Sequence, residues 1–176
     1  MAASIKRAKT ETVTLRLDPK TRFMLEFMSR VQARSITAVV EQAIREAAAN
    51  VSVRSNSDDE RTWSHFWDAS EGSRTLQLIS DANYPTNYEE DELLAFAHAH
   101  WEFFYISDSF KTPRKSYVDT LWPKIDDYLA LWRDQRQADY WAAGRAMSRD
   151  LAAARLAGPE WPRGTKAIDL DDEIPF

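Results

Sequence analysis

The sequence predicts a mainly α chain in three parts: an amino-terminal strand-helix-helix module, an all-α carboxy-terminal domain and an acidic, disordered tail. Three observations carry this. Glu11-Thr12-Val13-Thr14-Leu15-Arg16-Leu17 alternates polar and apolar residues and runs straight into Asp18-Pro19. Most of the chain beyond Pro19 repeats apolar residues at three- and four-residue steps, the spacing of a helix face. Four Gly argue against an all-β or Gly-loop architecture, while seven Trp, eight Phe and six Tyr supply the bulk of a core.

In the opening stretch Val13, Leu15 and Leu17 fall on one face and Thr12, Thr14 and Arg16 on the other. A lone strand of this length needs a partner strand and a helical layer over its apolar side. No comparable strand occurs nearby, so the economical partner is the same strand of a second copy, giving a swapped two-stranded ribbon in a dimer. Asp18 is a good N-cap and Pro19 suits the first helical position. The first helix then runs to about residue 32, with Leu25, Met28, Val31 and Met24 as its stripe and Phe23 and Phe27 beside it. Ser35 caps a second helix in which Ile36, Val39, Val40, Ala43, Ile44 and Ala47 recur with the cleanest helical period in the chain.

This order resembles the ribbon-helix-helix superfamily of bacterial repressors and antitoxins. The matching features are the Thr-Val-Thr-Leu-Arg-Leu ribbon, the Asp-Pro helix start and the Arg34-Ser35 turn, over residues 10–49. The resemblance implies a homodimer whose paired ribbons enter the major groove of double-stranded DNA, which admits a two-stranded ribbon. By position, Thr12, Thr14 and Arg16 would read base edges. The backbone N–H groups of Ile36 and Thr37, beside Arg34 and Ser35, would hold a phosphate at the helix amino terminus. Ala33 departs from the Gly that relatives often carry in the turn. Residues 1–9 form a basic arm whose Lys6, Arg7 and Lys9 suit further phosphate contacts.

Charge divides along the same line. Residues 1–49 carry nine Lys/Arg against five Asp/Glu, whereas 50–176 carry fourteen against twenty-three, and the whole is −5. A basic amino-terminal module fits a polyanionic partner; the acidic remainder does not. The absence of Cys excludes disulfides, Cys-based zinc sites and a thiol nucleophile. Apolar runs too short for a bilayer and an opening without an apolar signal region point to a cytoplasmic, nucleoid-associated protein with no membrane partner.

Residues 50–60, rich in Ser, Asn and Asp, read as a linker. Residues 61–158 read as a helical domain of unassigned family. Trp63, Phe66 and Trp67 share a helical face, and a short helix spans about 74–81. After Tyr84-Pro85, Thr86 and Glu89 suggest a capping box opening a long helix to about residue 107, with Trp101, Phe104 and Tyr105 on one side. Residues 110–115 form a loop, and Pro123 kinks or restarts the helix begun at Tyr117. A last helix from about residue 138 ends at Gly158-Pro159. The aromatic spacing favours core or subunit packing over base stacking. His98 and Glu102 lie one turn apart, but two ligands do not make a metal site. No Gly-rich phosphate loop, Gly-x-Ser-x-Gly or His-Glu-x-x-His occurs. The reading is of a non-enzyme with no catalytic residues, cofactor or metal.

Residues 159–176 leave the last helix. Within them Asp169, Asp171, Asp172 and Glu173 precede Ile174-Pro175-Phe176, and an apolar tip behind acids can dock on an apolar pocket with a basic lip. This octapeptide resembles the carboxy-terminal tip of bacterial single-stranded DNA-binding proteins, implying as partners the host genome-maintenance proteins that bind such tips. The oligonucleotide-binding barrel and long linker of that family are missing. Together these features predict a sequence-specific double-stranded DNA-binding protein, either a transcriptional repressor or a replication, partition or transfer factor of a plasmid or other mobile element. The alternatives are an antitoxin, or a single-stranded DNA-binding protein using the Trp-rich domain.

Overall fold

The computed structural model describes residues 12–53, 60–135 and 137–162 and is mainly helical. The chain divides between Val51 and Ser52 into two compact units. The basic arm and the start of the ribbon (residues 1–11), the interior of the expected linker and the acidic tail (Asp169 to Phe176) lie outside the described residues.

The first unit is built from two helices, α1 (Pro19–Val31) and α2 (Ile36–Ala49), packed on each other. Asp18 caps α1 as expected, its Oδ1 accepting from the amides of Lys20 at 2.9 Å and Thr21 at 3.1 Å. The Thr21 hydroxyl and amide hold this carboxyl below its ordinary value. At the other end the amide of Arg34 donates to the Ser29 carbonyl at 3.1 Å and that of Ala33 to Arg30 at 3.3 Å. That is a Schellman closure, which places Ala33 at φ 51°, in the left-handed region favoured by glycine. The Ser29 hydroxyl, donating to the Arg34 carbonyl at 2.6 Å, ties the turn across. Ser35 then caps α2, its Oγ accepting from the Ala38 amide at 3.2 Å.

The second unit opens with Ser52–Val53 (β1), which pairs antiparallel with Arg61–Thr62 (β2), in register Ser52 with Thr62 and Val53 with Arg61. The stretch read as a linker therefore contributes a strand to this unit. Arg61 forks onto Asp81, with contacts of 2.6 and 3.1 Å, and the carboxylate is buried.

The unit continues with α3 (Trp63–Phe66), α4 (Glu71–Ile79), α5 (Tyr88–Ala99), α6 (Trp101–Phe104), α7 (Lys115–Leu121), α8 (Ile125–Gln135) and α9 (Ala142–Ala153). The Arg61–Asp81 pair pins β2 to the turn after α4. Helix α7 lies centrally, packed on α4, α6 and α9, and α8 packs along α9. The core holds Leu76, Phe96, Phe103, Phe104, Val118, Leu121, Met147 and Leu151, all fully buried. Gly144 admits the indole of Trp161 onto α9: a Cβ there would overlap that ring.

Several boundaries differ from the sequence reading. The capping box of α5 is Asn87 with Glu90, one residue beyond Thr86 and Glu89, closed by bonds of 3.0 and 2.9 Å. The long helix expected to residue 107 breaks at His100 (φ −126°, ψ 38°), and Tyr105 is extended and bridged to Pro113. Beyond the break Phe103 and Phe104 lie on α6 and Tyr105 leaves it in an extended conformation, and all three are fully buried. Pro123 sits in a 3₁₀ turn (Trp122–Lys124) joining α7 to α8. Helix α9 starts at Ala142 and ends not at Gly158 but in a second Schellman closure, with Arg155 at φ 60° and the Leu156 amide on the Leu151 carbonyl at 2.9 Å.

His100 is wholly buried among Phe96, Tyr140 and Trp161, with Nδ1 3.2 Å from the Phe96 carbonyl. His98 stacks on Phe110 at 3.9 Å. Burial pushes both imidazoles below the ordinary histidine value.

These local geometries have two measurable consequences. Ala33→Gly relieves a left-handed residue costing roughly 1–2 kcal/mol, partly offset by the greater freedom of Gly in the unfolded chain. The variant should therefore raise stability by about 0.5–1 kcal/mol in urea unfolding. Neutral buried histidines bind fewer protons folded than unfolded. Stability is thus present above the ordinary histidine value, about 6.5, and is lost as pH falls below it toward the depressed folded values. Urea midpoints of the wild type should drop between about pH 7.5 and 5.5, and those of His100→Gln should drop less.

Candidate nucleic-acid interface

Residues 12–17, the expected ribbon, lie extended ahead of α1 and among the described residues pair with no other strand. Their apolar members are bare: Val13 is 76 % exposed, Leu15 65 % and Leu17 44 %. Leu15 and Leu17, with Leu25 of α1 and Ile36 of α2, line a cavity of about 270 Å3. Arg22 and Glu26, ion-paired at 3.0 Å, form its rim.

The helices are similarly uncovered. Val39 is the one fully buried hydrophobic residue described in the first unit, whereas Phe23, Met24, Phe27, Val31, Ile36 and Ile44 are exposed. On α2 Val39 is buried at one edge of the expected stripe, while Ile36, Ala43, Ile44 and Ala47 along the rest of it are exposed and Val40 is half-buried. On α1 Phe23 and Phe27 stack at 6.4 Å beside Val31. The stripe expected to be core is therefore split: Leu25 and Met28 are half-buried, while Met24 and Val31 face outward.

The expected base-reading side chains, Thr12, Thr14 and Arg16, are exposed, and Arg16 has no carboxylate partner among the described residues. Of the expected phosphate ligands, Ser35 spends its hydroxyl on the Ala38 amide. The amides of Ile36 and Thr37 are thereby left at the open end of a 14-residue helix, where the first N–H groups lack intrahelical acceptors and the dipole favours an anion. Arg34 is turned back along α2, donating through Nη1 to Gln42, which in turn donates to Glu46 at 2.8 Å. Its guanidinium is thus hydrogen-bonded within the unit and has no carboxylate partner among the described residues. Lys6, Arg7 and Lys9 lie outside the described residues.

In the second unit, His98 and Glu102 fall on opposite sides of the helix break at His100. Among the described residues no three His, Cys, Asp or Glu side chains come together as a metal set, and no helix is long and apolar enough to cross a membrane.

One aromatic cluster departs from the expected core packing. Trp132 is buried as expected, but Trp63 is 51 % exposed and Trp67 63 %. Helix α3 is only four residues long, and Trp67 leaves it in an extended conformation (φ −70°, ψ 123°). The periodic face inferred from Trp63, Phe66 and Trp67 thus lasts one turn, and only Phe66 is buried. The local signal for this was Asp68-Ala69-Ser70, a turn-forming segment that ends in Ser70, the cap of α4. Asp68 accepts from the Ser70 amide at 2.7 Å.

No protein-family model, curated protein or solved structure matches the chain.

Proposed function

We propose that this chain is a sequence-specific double-stranded DNA-binding protein that dimerises through residues 12–17 and α2. One observation carries the reading: the first unit cannot cover its own apolar surface. Its extended segment presents a bare apolar edge at Val13, Leu15 and Leu17. A second copy, pairing ribbon with ribbon and α2 with α2, would cover that edge and the exposed stripe of α2, leaving Thr12, Thr14 and Arg16 aligned on the outer face. Exposed contiguous apolar surface of this kind marks an interaction site. The major groove admits a two-stranded ribbon of this kind, and there Arg can take guanine bidentately and Thr can meet a thymine methyl. The open amides of Ile36 and Thr37 would clamp a flanking phosphate.

The role this supports is a repressor, or a replication, partition or transfer factor, of a bacterial mobile element. The resemblance of 169–176 to the tip of single-stranded DNA-binding proteins favours the maintenance roles. In that reading the tail engages host proteins that bind such tips.

Arg16→Ala should leave folding and dimerisation unchanged by sedimentation, yet lower specific over non-specific DNA affinity by roughly 10- to 100-fold, the scale of a lost bidentate base contact. The measurement is a titration of full-length protein on sites recovered by genome-wide mapping. Unchanged discrimination would remove Arg16 from the interface. Ile44→Asp, on the exposed stripe of α2, should make the protein monomeric and abolish specific binding at the same concentrations. A variant that stays dimeric would relocate the interface. Deleting Phe176 should spare DNA affinity while abolishing capture of purified host proteins that bind single-stranded DNA-binding protein tails.

A further inference from the structure

Trp63 and Trp67 flank a cleft of about 250 Å3 floored by Phe66 and Leu78 and edged by Arg74 and Glu90. The Arg74 guanidinium lies over the Trp67 ring, 5.3 Å from its centroid, and its Nη1 donates to the Asp68 carbonyl at 3.5 Å. The most exposed indole of the cleft is therefore held from one side rather than left to swing. A second hollow of about 570 Å3 meets the first at Glu90. It is lined by Leu93, Ile125 and Leu129 between the carboxylates of Glu71, Glu89 and Asp126. The two adjoin at Glu90 as a groove, mainly apolar beside Trp63 and Trp67 and mixed apolar and acidic in its other part.

The carboxylates alone need no ligand, since each sits in the first turn of a helix, where the dipole favours it. The two indoles beside them are not explained in that way. Trp with Arg is the composition of binding hot spots, and both rings stay exposed next to Phe66, which is buried. The charge decides the occupant. Glu71, Glu89, Glu90 and Asp126 oppose the single guanidinium of Arg74 and would repel a phosphate backbone, so the rings are badly placed for stacking on single-stranded nucleic acid. We infer that this groove docks a basic amphipathic helix of a partner protein. Its apolar residues seat on Trp63, Trp67, Leu78 and Leu93, and its Lys/Arg residues meet Glu71, Glu89 and Asp126.

The test uses the full-length chain and a fluorescein-labelled 14-residue peptide made of two copies of Leu-Lys-Lys-Leu-Leu-Lys-Leu, read by anisotropy. Trp67→Ala and the double variant Glu89→Gln/Asp126→Asn should each weaken binding at least about tenfold, the scale of a hot-spot loss. Asp108→Asn/Asp134→Asn, which removes the same charge elsewhere on the unit, should change it less than about twofold, as expected of a screened distant pair. The peptide with Glu in place of Lys should not bind. Trp63→Ala replaces Trp67→Ala if the latter loses helical circular dichroism. Equal losses in the two double variants, tryptophan variants that bind normally, or a 12-nucleotide single strand that binds through Trp67 would each overturn the proposal.

Discussion

A strand of six or seven residues cannot remain solvated on its apolar edge without cost, and the first unit offers nothing to cover it. Burying a Val or Leu side chain is worth about 1.5–3 kcal/mol, and here Val13, Leu15 and Leu17 all stand open, with Ile36 and Ile44 on α2 in the same condition. The helix pair is locally well made, capped at Asp18 and Ser35 and closed by a Schellman turn at Ala33. What it lacks is a core. Everything proposed for DNA recognition depends on that imbalance between good local structure and missing burial. The proposed dimer would supply the missing burial.

The second unit solves the same problem internally. Its helices converge on α7, and beyond the break at His100 three successive aromatics, Phe103, Phe104 and Tyr105, are all buried. Gly144 lets Trp161 close over α9. Its surface electrostatics derive from helix starts, with carboxylates concentrated in the first turns of α4, α5 and α8. Where those starts border a groove with uncovered indoles, acid and aromatic surface coincide. On that coincidence rests the proposed docking of a basic protein helix. In the proposed reading the chain divides its labour by charge, with a basic module facing DNA and an acidic one facing proteins.

How much of this was legible in the residues varies with the range of the interaction that decides it. The caps at Asp18 and Ser35, the two amino-terminal helices and the interruption at Pro123 depend on neighbours within four residues, and the spacing predicts them closely. The capping box shifted by one residue because Thr86-x-x-Glu89 and Asn87-x-x-Glu90 overlap, and Asn holds the cap with its amide oxygen. The turn at Ala33 kept its left-handed geometry despite lacking Gly, because the Arg34 and Ala33 amides and the Ser29 hydroxyl together enforce it.

The pair of amino-terminal helices and the mainly helical remainder were readable without coordinates, as were the basic and acidic halves, since charge and three- and four-residue periodicity are properties of the chain alone. Three-dimensional packing was needed to end the long helix at His100, to pair Ser52–Val53 with Arg61–Thr62, and to leave Trp63 and Trp67 outside the core. Each of these turns on whether a distant segment occupies a given face. Helical spacing says which residues share a side, but burial is settled by what arrives to cover it.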